Sequence, residues 1–462
     1  MRRRAHSFLF FLTLCVGPGL PSCSLDNPGD PPPEGKIYLP GGLHISQQSA
    51  DSAARFLYVV NSNFDLRYNA GSLQAYDLTA LDEEITETCG DDLGPTCEIE
   101  PSDVLADEVL VPSLVTSIAS SSDARRLYVT TRTDSDLTVV DVDDGDDEPL
   151  SCGDSGDRRC DDAHTTYRDP IASQRRLVVP GEAVGIVAGR AQDFAGEDDP
   201  TLEGEYVLVA HRGGEVSLFH DDGSSALELQ DVLTLGGPLR PLREPTGITF
   251  DPVTRLAYLS VFARETIDIA GKKVLGRVGI APGATTASLF DNGALSIEGV
   301  SLGRDTRGIA MNPLVAGQAL VVSRAPNSLM WVDVASALEG NGEGGPTQAV
   351  VWRSESIGRG PSRVITGPLG DRTIAIVSCF DGRQIFILDA ATAEPISIVH
   401  NFSGPFEVAL DSVRQRLYVA DFRSSVVRVL DLSALVNGAS EDVPTARIVA
   451  TLGHPELVQE LQ

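Results

Sequence analysis

Lysine is almost missing from this chain. Only Lys36, Lys272 and Lys273 occur in 462 residues, so nearly all positive charge is arginine. In total 36 basic residues face 66 acidic ones, a formal net charge of −30. Such a field repels nucleic acid and anionic lipid headgroups, and neither is expected as a partner. Methionine occurs only at positions 1, 311 and 330, which argues against a Met-rich copper site. No two of the histidines at 6, 44, 164, 211, 220, 400 and 454 stand at metal-motif spacing. There is no Cys-x-x-Cys-His string, which excludes covalent c-type haem, and no G-x-S-x-G or P-loop string. Neither a cofactor nor a metal is expected.

At the N-terminus Arg2, Arg3 and Arg4 precede an apolar run from Phe8 to Val16, too short to span a bilayer in a mature protein but suited to a secretion signal. The run ends at Leu20-Pro-Ser-Cys23, which resembles a bacterial lipobox, with Pro21 the less usual residue. The resemblance implies cleavage of residues 1–22, lipid on Cys23 and a bacterial envelope protein held by that lipid alone; Ser24 in the next position favours the outer membrane. Ordinary signal cleavage nearby is the alternative, and either route exports the protein. Without residues 1–22 the chain carries 33 basic and 66 acidic residues. Residues 23–35, with Asp30-Pro-Pro-Pro33, read as a Pro-rich tether.

Cys89 and Cys97 share their spacing and a Cys-Gly-Asp start with Cys152 and Cys160. In an oxidising compartment two local disulfides, 89–97 and 152–160, are the best of the three pairings. Cys379 is left as a buried thiol at the end of an apolar strand. The acidic string from Asp141 to Glu148 has Gly145 in the fifth place, whereas an EF-type loop needs Gly sixth and a distal Glu, so a solvated acidic loop is favoured over calcium binding.

Seven times an apolar strand ends in a small or polar residue, turns, and continues as a second strand that usually closes in an acid. The clearest copy is Arg416-Leu-Tyr-Val-Ala-Asp421 followed by Val426-Val-Arg-Val-Leu-Asp431; the others begin near Tyr58, Tyr128, Leu208, Tyr258, Val321 and Ile376. Flanking strands such as Gly247 to Pro252 and Ala446 to Thr451 complete four per unit. The expected fold is all-β: one seven-bladed propeller of four-stranded antiparallel blades over residues 36–462. The surplus length falls in inserts near 79–112 and 143–181, which hold the Cys pairs. Lys36 to Leu39 is a candidate strand for closing the ring onto the last blade.

Arg55-Phe-Leu-Tyr-Val-Val-Asn61, Arg126-Leu-Tyr-Val-Thr130 and Arg416-Leu-Tyr-Val-Ala420 resemble YVTN-type propeller repeats, a group that includes lactonase-like and surface-layer propellers. The Gly-His and Trp-Asp strings of WD40 blades are missing, and two tryptophans are too few for the Trp-docked blades of quinone-dependent dehydrogenases. In a four-stranded blade, the turn before the inner strand and the turn after the second open on one face. That geometry nominates Glu182, Arg307, Arg363 and Glu407 before inner strands, and His211, Arg324 and Asp421 after second strands, as ligand-binding residues. The expected function is a binding or interaction module for an envelope protein, glycan or small ligand, acting as a monomer. The alternative, implied by the resemblance alone, is a lactonase-like hydrolase with Arg polarising a carbonyl beside a Glu- or His-activated water. That reading requires Glu182, Arg307, Arg363, Glu407 and Asp421 to converge on one pocket.

Overall fold

Along Phe56–Asn61 the side chains alternate between two apolar layers. Leu57 and Val59 pack with Tyr418, Ala420 and Val427, whereas Phe56, Tyr58 and Val60 pack with Leu127 and Val129. Successive strand residues point to opposite faces, so a run that is apolar without interruption is a strand covered on both sides by neighbouring sheets. The computed structural model describes residues 29–46, 52–132, 135–153, 156–167, 180–195, 203–224, 227–236, 244–262, 273–281, 287–298, 305–335, 348–437 and 445–456. The signal segment and Cys23 lie outside them.

Seven four-stranded antiparallel blades form the propeller. Their inner strands are Pro40–Ile45, Val115–Ser120, Ala183–Arg190, Pro245–Asp251, Thr306–Met311, Pro361–Leu369 and Pro405–Asp411. Each touches the next, and the seventh touches the first. The second strands are Phe56–Asn61, Arg126–Thr131, Glu205–His211, Leu256–Val261, Gln318–Arg324, Arg372–Cys379 and Arg416–Asp421. Blades 4 and 5 are also joined at their outer edges, where Ser296 to Glu298 pair in parallel with Gln348 to Val350.

The Arg-Leu-Tyr strings clamp one blade to the next. Arg126 and Tyr128 of blade 2 both reach Asp221, which ends the third strand of blade 3; the Tyr128 hydroxyl donates at 2.6 Å. From blade 1, Arg55 donates to the Asp144 carbonyl at 2.6 Å and to Asp147 at 2.9 Å, and Tyr58 donates to the Asp144 carboxylate at 2.7 Å. Two of the six acids in the string, Asp144 and Asp147, are thus engaged by blade 1. The recurring acids at third-strand ends mostly cap the turn that follows: Asp77, Asp333, Asp389 and Asp431 accept from backbone amides two residues on.

Both Cys pairs are disulfide-bonded, and Cys379 is a buried free thiol. Each insert latches onto the outer strand of the preceding blade. In the first, Glu98–Ile99 pairs in parallel with Thr451 and Leu452 of blade 7, and Arg428 donates to the Pro95 carbonyl at 3.0 Å. In the second, Leu110 of blade 1 bridges in parallel to Arg159, beside Cys160. The first latch closes the seam between the last blade and the first. Lys36 to Leu39 forms no strand: Tyr38 and Leu39 donate their amides to Asn61 Oδ1 and Ser425 Oγ instead. The described part of the Pro-rich segment, 29–35, lies against blade 1, where Asn69 bonds Gly29 and Asp30 and the Gly35 amide reaches Glu108 at 2.7 Å.

Candidate functional site

Every blade has one residue too many at the start of its inner strand. The register slips between Pro40 and Gly42, Val115 and Ser117, Ala183 and Gly185, Pro245 and Gly247, Thr306 and Ile309, Pro361 and Arg363, and Pro405 and Val408. A bulge re-aims the side chain it carries. One residue from each bulge lines a single cavity of about 570 Å³ at the mouth of the ring: Gly41, Thr116, Val184, Thr246, Arg307, Ser362 and Phe406.

The opposite wall of each blade contributes by register. Asn61, Thr131, His211, Val261, Ser323, Cys379 and Asp421 pair with the first residue of the inner strand. The residue after each of these faces the cavity: Ser62, Arg132, Arg212, Phe262, Arg324, Phe380 and Phe422. Because strand side chains alternate, the last strand residue turns into the blade interface and its successor turns to the funnel.

The nominated residues divide along this line. Arg307, Arg324 and Arg363 line the cavity. Glu407 stands behind Arg363, and Glu182 sits 3.8 Å from the lining Arg212. His211 is fully buried, with Nε2 bonded to Ser217 at 2.9 Å, and burial pushes its pKa down to about 3. Asp421 is also fully buried, accepting from the Ser403 and Gly404 amides at 2.8 and 2.6 Å and from Arg428 at 3.4 Å. Both are off the lining because they occupy the interface register. The convergence required of a hydrolase therefore lacks Asp421. Cys379 occupies the same register, and burial pushes its thiol up to about 12.

Arg363 and Glu407 form the floor. Just inside the bulge, blades 1, 3, 4 and 5 have Gly42, Gly185, Gly247 and Gly308. A Cβ on Gly308 meets the Val364 amide nitrogen at 2.8 Å, and one on Gly247 meets the Arg307 carbonyl at 3.0 Å. Neighbouring inner strands approach too closely there for a side chain. Blades 6 and 7 instead send Arg363 and Glu407 inward, 3.1 Å apart. Arg363 also donates to the Thr116 carbonyl of blade 2 at 3.1 Å and the Thr246 carbonyl of blade 4 at 3.5 Å. One guanidinium thus spans the axis. Burial raises the pKa of Glu407, and Arg363 opposes that shift.

Above this floor the charge balance is uneven. Five arginines, 132, 212, 307, 324 and 363, line the cavity with one carboxylate, Glu244. Behind them Asp305 pairs with Arg307 at 2.5 Å, in a geometry that leaves Arg307 Nε without a hydrogen bond. Arg324 donates to the Pro361 carbonyl at 2.9 Å and the Ser362 hydroxyl at 2.7 Å, and neither it nor Arg132 has an ion pair among the described residues. Desolvation lowers the pKa of both, reinforced by the neighbouring guanidiniums of Arg212 for Arg132 and Arg307 for Arg324. Mutually repelling cations in a walled space favour an anion. Among the described residues no group of three or more His, Cys, Asp or Glu is placed to hold a metal. Arg132, Arg212 and the five lining phenylalanines, 64, 262, 380, 406 and 422, were not singled out from sequence. For Arg132, Arg212, Phe262, Phe380 and Phe422 the signal was the residue one place beyond each second strand; Phe406 stands in an inner-strand bulge and Phe64 three places beyond its strand.

No protein-family model matches the chain, and no curated protein matches it in sequence. Among solved structures it is similar to hydrazine synthase of Kuenenia stuttgartiensis, at 13% identity and a TM-score of 0.51, over 85% of this chain and 95% of that one. It is also similar to the β-propeller domain of Cps50 (Swd1) from Myceliophteria thermophila, at 10% identity and a TM-score of 0.47, over 82% and 92%. At these identities the likeness is one of fold.

Proposed function

We propose that the protein is an exported, lipid-anchored propeller that acts as a binding module, taking a small anionic ligand into the funnel mouth. One observation carries this reading: in a chain with a net charge of −30, five arginines converge on one cavity, and two of them lack an ion pair among the described residues. The cavity volume of about 570 Å³ suits a small molecule. Two disulfides support an oxidising compartment, and Leu20-Pro-Ser-Cys23 supports the anchor. The clamps made by Arg55 and Tyr58 and by Arg126 and Tyr128 support YVTN-like repeats in blades 1 and 2. A hydrolase needs a base aimed at the ligand. His211 and Asp421 are sealed in blade interfaces and Glu407 is committed to Arg363, leaving Glu244 as the one carboxylate on the lining against five arginines, a balance that favours binding over turnover.

Calorimetric titration of the full chain with citrate and inorganic phosphate tests the reading. Binding is expected, weakened about tenfold or more in the Arg132→Ala/Arg324→Ala variant, since a hydrogen bond to a charged group is worth about 1.5–3 kcal/mol. No binding by the wild type, or no loss in the variant, refutes it. Lactone turnover that Arg363→Ala abolishes would restore the hydrolase. Palmitate labelling that marks Cys23→Ser as strongly as wild type refutes the anchor.

A further inference from the structure

The funnel mouth has two unlike walls. Blades 2, 3 and 5 present Arg132, Arg212, Arg307 and Arg324, and between them blade 4 presents Phe262, isolated from the other lining rings and covered by the Arg307 guanidinium 5.1 Å from its centroid. Blades 6, 7 and 1 present Phe380, Phe406, Phe422 and Phe64, four of the chain's 15 phenylalanines. Their rings form one continuous cluster: Phe64 lies 6.1 Å from Phe422, Phe422 lies 5.9 Å from Phe406, and Phe380 lies 6.3 Å from each of Phe406 and Phe422. Phe64, at the rim, is 54% exposed.

An arginine wall alone fits any small anion, and an aromatic wall alone fits any apolar body. Both around one space select a molecule that has both parts. Within the aromatic wall the interplanar angles of 74°, 51°, 83° and 57° give a herringbone surface rather than a flat stacking platform. That surface suits an aryl or alkyl group better than the flat face of a sugar. Tryptophan, the usual sugar platform, is absent from the lining, and Trp331 is fully buried between blades 5 and 6, donating to the Ala390 carbonyl.

We propose that the ligand is a small amphipathic anion, its carboxylate or phosphate held by Arg132, Arg212 and Arg324 and its aryl or alkyl body laid against Phe380, Phe406 and Phe422. This rests on the anion-binding reading above and narrows its ligand class. The aromatic wall is half-buried, and covering it with a ligand body removes apolar surface from water.

Calorimetry with the full chain separates the two claims. The probes are inorganic phosphate against phenyl phosphate, acetate against benzoate, and benzamide as the uncharged counterpart. Phenyl phosphate is expected to bind about tenfold or more tighter than phosphate, benzoate tighter than acetate, and benzamide not measurably. Phe422→Ser should cut the advantage of phenyl phosphate to about threefold or less while leaving phosphate binding intact. Phe64→Ser, at the exposed rim, is the second variant should Phe422→Ser fail to fold. Equal affinity for phosphate and phenyl phosphate, both lost in Arg132→Ala/Arg324→Ala, overturns the amphipathic ligand and leaves the anion-binding reading standing. No binding of any probe overturns both.

Discussion

Replacing Asp221 with Ala removes the acceptor on which blades 2 and 3 are clamped. The carboxylate is 2% exposed and receives Arg126, the Tyr128 hydroxyl at 2.6 Å and the Gly223 amide at 2.9 Å. Its loss strands a fully buried phenol, which burial and Asp221 together hold well above its usual pKa, so that it remains a donor at any working pH. Arg126 is not stranded: it keeps Asp141 at 2.8 Å and the Gly223 carbonyl at 2.8 Å. Breaking a buried pair costs about 3–5 kcal/mol when the surviving charge is uncompensated. The two remaining acceptors place Asp221→Ala near the lower end, about 3 kcal/mol. Tyr128→Phe gives up one hydrogen bond to a charged acceptor and costs about 1.5–3 kcal/mol in the wild type. After Asp221→Ala it should cost nothing, because the hydroxyl then has no partner to lose. Urea unfolding followed by far-UV circular dichroism gives all four corners of this cycle, with unchanged m-values as the condition for comparison. The expected coupling is about 1.5–3 kcal/mol. Additivity within about 0.5 kcal/mol, as for unconnected sites, refutes the clamp.

His211, fully buried with its pKa lowered to about 3, binds a proton more weakly folded than unfolded. Stability is therefore full above the unfolded value of 6.5 and falls as pH drops from there toward 3; unfolding midpoints in His211→Gln should lose part of that slope, and an unchanged slope sinks the assignment. Cys89→Ser/Cys97→Ser opens a loop whose closure is worth about 2.5 kcal/mol in the chain-entropy model. Hydrogen exchange at Thr451 and Gly453, whose amides bond the Cys97 and Ile99 carbonyls at 2.8 and 2.9 Å, should quicken; unchanged exchange means that the disulfide does not support the seam.

The blades were legible because their physics repeats. Uninterrupted apolar second strands require cover on both faces, and only a ring of sheets supplies it seven times. The seam was less legible. A propeller is expected to be closed by a strand from one end of the chain, and Lys36 to Leu39 stood in the right place. The latch came instead from within blade 1's own insert, as Glu98–Ile99. Two residues of strand leave no periodic trace, and only the duplicated Cys-Gly-Asp loops marked the segment as structural.

The residues nominated at second-strand ends mostly stand one place from those that line the cavity, and in a β-strand one residue is the difference between two faces. His211 and Asp421 were nominated because they end second strands, yet that position, which Cys379 shares, points between blades. In blade 5 the same place belongs to Ser323, and Arg324 reached the cavity because it was already one step further along. The bulges displaced the inner strands likewise, setting Arg307 and Phe406 on the mouth while Arg363 and Glu407 turned to the axis. A bulge inserts one residue without breaking the apolar pattern on either side, so neither composition nor periodicity records it. What the sequence does hold is the set displaced by that one step: three arginines, three phenylalanines and a serine, distributed unevenly around the ring. That asymmetry separates a two-walled site from a repeated structural contact, because a purely structural position would satisfy the same packing demand in every blade.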